Sequence, residues 1–460
     1  MELLERRSTF NVLLVANMIL ALLTIWLSRH TMLSDSWSYL NLAEGILHGK
    51  YSMWWTLDDY YADTFRAPGY PLFIAAFLKV FGTWKVIPAI NFVLYWVALF
   101  FSLRTIDPTH ENRAARSLFL VLLLPLMNMP YYIGQLYTEI PVLAALSIVL
   151  FHYMKPGKWT WSQMIGIGAL MGFIILCKPV FLLFPVGMAV LHPLFVKRPS
   201  WIAGQLCMLL VCGLSILPYG LWNLEHHGQF RVTPIQGGGG YMHFAYWCGK
   251  MPAYQDTISL GNFTGDELIA FTPTESIPKN IAAFEAEWAE VNRSLAPLLT
   301  AKDSLMLASW DELIYLAEPT YNTVYSLERE KLLTKLAMEH MLADPWYTLS
   351  YKAYTAVRIW VIGIQKSDFI HASTGGKLQM LYATVSTGSN FLLALFLIPF
   401  AYFRSALSLR RTWPLLAAVL YVGILHVPFT IQARYTVCVR FALIALTALA
   451  ITRLLQKEKG

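Results

Sequence analysis

Apolar runs of close to twenty residues recur along this chain, and no other feature restricts its fold as strongly. The first occupies roughly residues 9–29 and ends in "IWLSRH". About 20 predominantly apolar residues in an α-helix cross the hydrocarbon core of a bilayer. The runs are continuous rather than alternating, so they predict helices and not barrel strands. The first run is longer than the core of a signal peptide and lacks a small-residue cleavage site, so it reads as a retained membrane helix.

Ten spans are expected, at about 9–29, 86–103, 114–130, 137–154, 162–177, 179–196, 202–222, 380–403, 413–428 and 436–454. Several are short and bounded by proline, which widens the expected number to about ten to thirteen. Composition agrees: 57% of the residues are hydrophobic and 14% charged, against roughly 25% charged in a soluble domain. The expected class is an all-α polytopic membrane protein.

Charge orients the spans. With the N-terminus inside, the inner connections and span ends collect Arg6, Arg7, Arg104, Arg113, Arg116, Lys155, Lys158, Lys197, Arg198, Arg404, Arg410, Arg411, Arg453, Lys457 and Lys459. The short outer connections carry only Lys178 and Arg434. This is the positive-inside pattern, and it accounts for the net charge of +7 without invoking nucleic acid. Five cysteines show neither paired nor metal-like spacing; four lie in or beside apolar runs and read as buried thiols.

Two outer segments are long, 30–85 and 223–379. The chain therefore divides into a membrane module (1–222) that includes the first outer loop, an outer-face region (223–379), and closing membrane helices (380–460). Loops carry function more often than the scaffold does. In the first loop, Trp37, Leu40, Ala43, Ile46 and Leu47 follow a helical period from Asp35, and Gly49 ends the helix. "LFIAAFLKVFG" follows, too short to span and suited to the interface. The second loop is helical from about 278 to 343, is broken at "DPWY", and returns to the membrane through "TLSYKAYTAVRIWVIGI".

Candidate chemistry follows from these positions. Asp35 suits a helix N-cap or, equally, a general base at the membrane surface. Arg66 in "FRAPGYP" suits headgroup contact or phosphate binding. Glu139 starts a span at its outer end, where an acid is either a first-turn residue or a site residue. Lys178 and Arg434 are cations on the side that the charge bias disfavours, and Arg440 lies deeper still. Asp58, Asp59 and Asp63 are candidates for a divalent cation, against the reading as solvated loop acids. "EHHG" (Glu225, His226, His227) is a weak metal motif, and the four glycines 237–240 read as a linker rather than a phosphate cradle. Asn262 and Asn292 begin sequons that matter in a eukaryotic source.

Taken in order, "DSWSYLNLAEGILHGKYS…FRAPGYPLFIAAFLKVFG", "LYTEIPVLAAL", "CKPVFLLFP", "LAMEHMLADPWYTLSYKAYTAVRIW" and "ARYTVCVRFALIAL" resemble segments of the GT-C glycosyltransferases. The branch resembled contains the dolichyl-phosphate-mannose protein mannosyltransferases, the lipid A aminoarabinose transferases and the bacterial lipopolysaccharide galacturonic-acid transferases. The resemblance implies a GT-C-like bundle with interfacial helices. It also implies inverting transfer of a monosaccharide from a polyprenyl-phosphate carrier to a glycan, lipid or protein acceptor. Transfer would occur on the outer face, in a bacterial inner membrane the periplasmic side. On that resemblance Asp35 matches the catalytic acid, Arg66 the donor-phosphate ligand and Glu139 a second site acid, with Lys178 and Arg434 as further phosphate ligands. Ser36 stands where many relatives have a second acid, which weakens metal binding at this motif. The competing readings are an O-antigen ligase or polymerase, which would centre on arginine and histidine in late loops, and a lipid-sugar transporter or flippase, which would show repeats and paired charges deep in spans.

Overall fold

The computed structural model describes residues 2–28, 32, 34–108, 112–155, 157, 159–196, 200–251, 271–308, 322–364, 366–429 and 432–457. Lys158, Lys197, Arg198, Lys459 and Asn262 lie outside the described residues. Among those described, every regular element is a helix.

Every expected span but one falls largely on a helix. Among the described residues, five are long and apolar enough to cross a bilayer: Arg7–Trp26, Trp84–Ile106, Ile202–His227, Thr374–Phe403 and Ala433–Lys457. The chain is thus a multi-pass membrane protein. Glu139–Met154, Trp161–Cys177, Phe184–Phe195 and Leu409–Leu425 are shorter. The span expected at 114–130 is cut: a helix runs Arg113–Leu123, and a separate short turn of helix follows at Asn128–Tyr131. Pro125 is the cause, since it offers no N–H and its ring crowds the preceding turn.

The last helix, Val437–Lys457, is the axis of the bundle. It packs against Ile87–Ile106, Arg113–Leu123, Glu139–Met154, Thr374–Phe403 and Leu409–Leu425. It is buried nearly all round, which explains why its sequence is apolar on every face rather than amphipathic. The outer helices differ. On Ser200–His227, Leu206, Leu210, Leu214 and Leu221 are exposed at helical spacing, a stripe fitted to lipid. Its opposite face receives Trp161–Cys177 at close range: a Cβ on Gly168 would come within 2.6 Å of the Met208 carbonyl oxygen, and one on Gly172 within 2.4 Å of the Ser215 Cβ. "GALMG" is a small-xxx-small surface that lets two backbones approach.

At one end of the bundle Arg113 Nη1 donates to the Glu5 carbonyl (3.2 Å), Arg410 Nε to the Phe195 carbonyl (3.0 Å) and Lys457 Nζ to the Arg404 carbonyl (2.5 Å). At the other end lie both long loops. The first loop folds as a helix Ser34–Leu47 packed on Gly69–Phe81. Gly49 (φ +73°) and Gly82 (φ +68°) turn the chain at their C-termini in the left-handed region that glycine adopts without strain. The Asp35 helix is not the one-striped surface helix its spacing suggests. Leu40 and Ala43 are buried, but so are Ser36, Ser38 and Leu42, whereas Trp37 and Leu47 face outward. The loop 51–65 covers its polar side, through Leu42, Met53, Trp54 and Phe65.

The second loop adds helices Gly238–Trp247, Ile277–Leu295, Ala301–Ala308, Thr323–Ala343 and Pro345–Arg358 around a small core that includes Phe244, Trp247, Phe284 and Tyr351. The break at "DPWY" is a cap: the Asp344 side chain accepts from Tyr347 N, and Pro345 starts the next helix. The four glycines are not a linker. Gly237 (φ +110°) ends the approach, and Gly238 opens a helix whose first N–H groups hold an anion: Gly237 N and Gly239 N donate to the Glu330 carboxylate at 3.0 and 2.5 Å. That contact needs the missing side chain, because a Cβ on Gly239 would stand 2.3 Å from the Glu330 carbonyl oxygen. The five cysteines are free, and all but Cys207 are buried.

Candidate active site

Five charged residues named from the sequence sit at helix ends or loops on the outer-loop side, and the fold brings them into one cluster. Asp35 lies in the first turn of Ser34–Leu47. Its two oxygens go to different partners: Arg66 Nη2 donates to Oδ1 at 2.5 Å and Arg434 Nη2 pairs with Oδ2 at 2.6 Å. The three side chains are each less than one-fifth exposed. Burial alone would raise the carboxyl of Asp35, but the two guanidiniums outweigh it and hold the group well below the usual carboxylate range.

Local sequence explains how Arg66 is aimed. The Asp63 side chain accepts from Phe65 N (3.0 Å) and Arg66 N (2.6 Å), and the Arg66 carbonyl accepts from Tyr51 Oη (2.8 Å). Both sides of the Arg66 residue are therefore fixed before its side chain is considered. The guanidinium lies over Phe65 (4.5 Å) and Tyr39 (5.0 Å), contacts that suit a planar cation. Arg434 stands in the turn Ala433–Thr436 that opens the axial helix, over Tyr137 (4.9 Å) and Tyr435 (5.7 Å).

The second ion pair joins Glu139, the first residue of its helix, to Lys178, with Nζ and Oε1 2.9 Å apart. Lys178 ends Trp161–Cys177 in an extended conformation, and Pro179 begins the next turn. An extended residue before proline is what the ring's clash demands. The two pairs share a neighbourhood. The Tyr39 phenol is raised first by burial, and the charges of Arg66, Asp35, Glu139 and Lys178 all act on it. The Glu139 charge also acts on Arg434.

Lys178 is brought close to the Arg66 loop by Gly69. A Cβ there would meet the Leu176 carbonyl carbon at 2.6 Å and Cys177 N at 2.8 Å. The glycine of "APGYP" is thus the point where the two segments touch. Three cations face two carboxylates, so the cluster carries one surplus positive charge. Arg66 Nε and Arg434 Nε are buried with no protein acceptor. Buried donors left unpaired are costly, and two guanidiniums with spare donors can receive a planar or tetrahedral anion.

The remaining candidates fall elsewhere. Asp58 and Asp59 are exposed, Asp59 pairs with Lys302, and Asp63 is buried in its turn beneath Arg66. The three carboxylates do not share one ligand set. His226 stacks on Trp222 (4.5 Å), while His227 meets the Asp63 carbonyl (3.2 Å) and Thr323 (2.8 Å). Their rings point apart, as adjacent residues on a helix must. Arg440 is fully buried, donating to the Trp360 carbonyl (2.5 Å) and Thr436 Oγ1 (3.0 Å). It braces the axial helix beneath the cluster. The aromatic walls went unread in the sequence, although Tyr137 and Tyr435 stand within two residues of named charges.

Comparison with known proteins adds context. No family model and no curated protein matches the chain. Among solved structures, it is similar to crystal structures of ArnT from Cupriavidus metallidurans. For the form bound to undecaprenyl phosphate, identity is 14%, coverage 99% of this chain and 80% of that one, and the TM-score 0.37. For the apo form the values are 14%, 96%, 77% and 0.36. At such TM-scores the likeness carries no argument. What the fold and cluster define by themselves is a class: a polytopic helical membrane protein with a buried, charge-paired, net cationic site at one end of its bundle.

Proposed function

We propose that the protein is an inverting glycosyltransferase that moves a monosaccharide from a polyprenyl-phosphate carrier to a hydroxyl-bearing glycan, lipid or protein acceptor. The outer face of the membrane, the periplasmic side if the membrane is a bacterial inner one, is the proposed location. The observation that carries this reading is the Asp35 carboxylate held between Arg66 and Arg434, whose buried Nε donors have no protein acceptor. The order of motifs resembling GT-C enzymes supports it.

The chemistry follows from the charges. The donor phosphate binds Arg66 and Arg434 in place of Asp35, with Lys178 adding charge. The bond between the anomeric carbon and the phosphate oxygen breaks through an oxocarbenium-like state. The polyprenyl phosphate leaves as an anion that the cations stabilise, so no general acid is required. Asp35, released from both guanidiniums, regains basicity and takes the acceptor hydroxyl proton as the new glycosidic bond forms on the opposite face. Glu139 keeps Lys178 charged and placed. No step asks for a metal at Asp35, where Ser36 is the neighbour.

The test is transfer of labelled sugar from a synthetic polyprenyl-phosphate donor by protein in lipid nanodiscs. Asp35→Asn is expected to lower turnover by about 10³-fold with the melting temperature of a folded protein. Transfer that survives this change overturns the reading. Passage of the labelled lipid across vesicles without transfer would favour a transporter instead.

A further inference from the structure

Away from the Asp35 cluster, three outer-loop helices each direct one metal-ligating side chain to a common point. We propose that His243, Glu287 and His340 form a binding site for a divalent transition-metal ion of the zinc class, which ties these three helices together. His243 comes from Gly238–Trp247, Glu287 from Ile277–Leu295 and His340 from Thr323–Ala343. His243 Nε2 lies 2.8 Å from Glu287 Oε2, and His340 Nε2 lies 2.7 Å from Oε1. The ligand atoms all fall within 4.8 Å of one another.

The donor set selects the ion. Two imidazoles and a carboxylate suit zinc and its neighbours, whereas magnesium and calcium prefer oxygen alone. Both imidazoles present the same nitrogen, Nε2, one to each side of the carboxylate; the ion takes the place of the protons that Nε2 otherwise shares with Glu287. Trp247 Nε1 donates to Glu287 Oε2 at 3.1 Å, the outer-shell bond that orients a ligating carboxylate. His243 is fully buried, stacked near Phe284 and Trp288, and His340 stacks on Tyr246 at 4.8 Å. Glu287 and His340 keep 19% and 29% of their side chains exposed, which leaves an open side for entry and for water as a fourth ligand.

The ion is structural in this proposal. It closes a region whose own core is small. It also reaches the Arg66 loop: Gly237, at the head of the His243 helix, lies against Phe65, and Tyr241 packs in the same group.

The experiment uses the full chain in detergent, stripped with EDTA, reloaded with zinc chloride, desalted, and read by elemental mass spectrometry and thermal melting. About one zinc per chain is expected, with a higher melting temperature than the stripped protein. His340→Ala and Glu287→Gln should each lose the zinc and the zinc-dependent rise, while His226→Ala keeps both. Full zinc content in His340→Ala, or melting of the wild type that ignores zinc, overturns the proposal and leaves a hydrogen-bonded His–Glu–His bridge. If the variants do not fold, cobalt loading of the wild type decides. The visible absorption of a four-coordinate site supports it, and its absence refutes it.

Discussion

At the scale of single residues, the site depends on shape as well as charge. Arg66 and Arg434 each bind one Asp35 oxygen while lying over aromatic rings. Lysine keeps the charge but not the plane or the fork. Arg434→Lys is expected to cut kcat/KM for the donor by about 10–100-fold, through KM as much as kcat, in steady-state assays at varied donor concentration. Asp63 gives a second test. Burial pushes its carboxyl up to about 6 from 3.8, against the N–H groups and charge of Arg66 and Phe65 N. The folded state therefore binds more protons. Asp63's contribution to stability is complete below pH 3.8 and is lost as the pH rises through 6. Asp63→Asn keeps the acceptor for both N–H groups without the charge. Thermal melts should show it more stable than wild type at pH 8, with the gain gone near pH 4. Asp35, Arg66, Glu139, Lys178 and Arg434 were legible because charges at the ends of apolar runs, in segments ordered like those of GT-C enzymes, stand out. It did not separate Asp63 from Asp58 and Asp59, because one buried turn rather than composition tells them apart.

At the scale of elements, close backbone approach does what apolar burial cannot do in lipid. Gly172 meets Ser215 and Cys212 across the contact with Ser200–His227. Gly172→Val should force the helices apart at a cost of about 1–3 kcal/mol, read as a lower melting temperature in detergent. Gly69→Ala is the sharper case. The new methyl would strike backbone atoms of Leu176 and Cys177, separating the Arg66 loop from the Lys178 turn. A fall in kcat together with a lower melting temperature is expected. Helix positions were legible because apolar runs mark them directly. The shortened span at Arg113–Leu123 and the helix at Gly238 were not: the first turned on one proline, the second on Glu330, more than ninety residues away in sequence, which satisfies the helix start.

At the scale of the molecule, the contacts of Arg113, Arg410 and Lys457 lie at the end of the bundle opposite the Asp35 cluster and both long loops. This polarity yields an orientation test. Asp58 is exposed, and four of the five native cysteines are buried. Asp58→Cys should react with a membrane-impermeant thiol reagent added outside intact cells, while a cysteine in place of Arg453 should react only after lysis. Labelling in the reverse order would overturn the outer placement of the site.

The axial helix has a consequence for biosynthesis. Val437–Lys457 fills the centre of the bundle, and Arg434 at its head completes the grip on Asp35. The ribosome makes this segment after every other segment that contributes to the cluster. Until it arrives, the earlier helices surround an unfilled core and Asp35 lacks one of its two counter-ions. The complete charge cluster and tight packing are therefore acquired together, late in translation. A nascent chain halted before residue 434 holds neither, and it should be recognised by membrane quality control as unfinished.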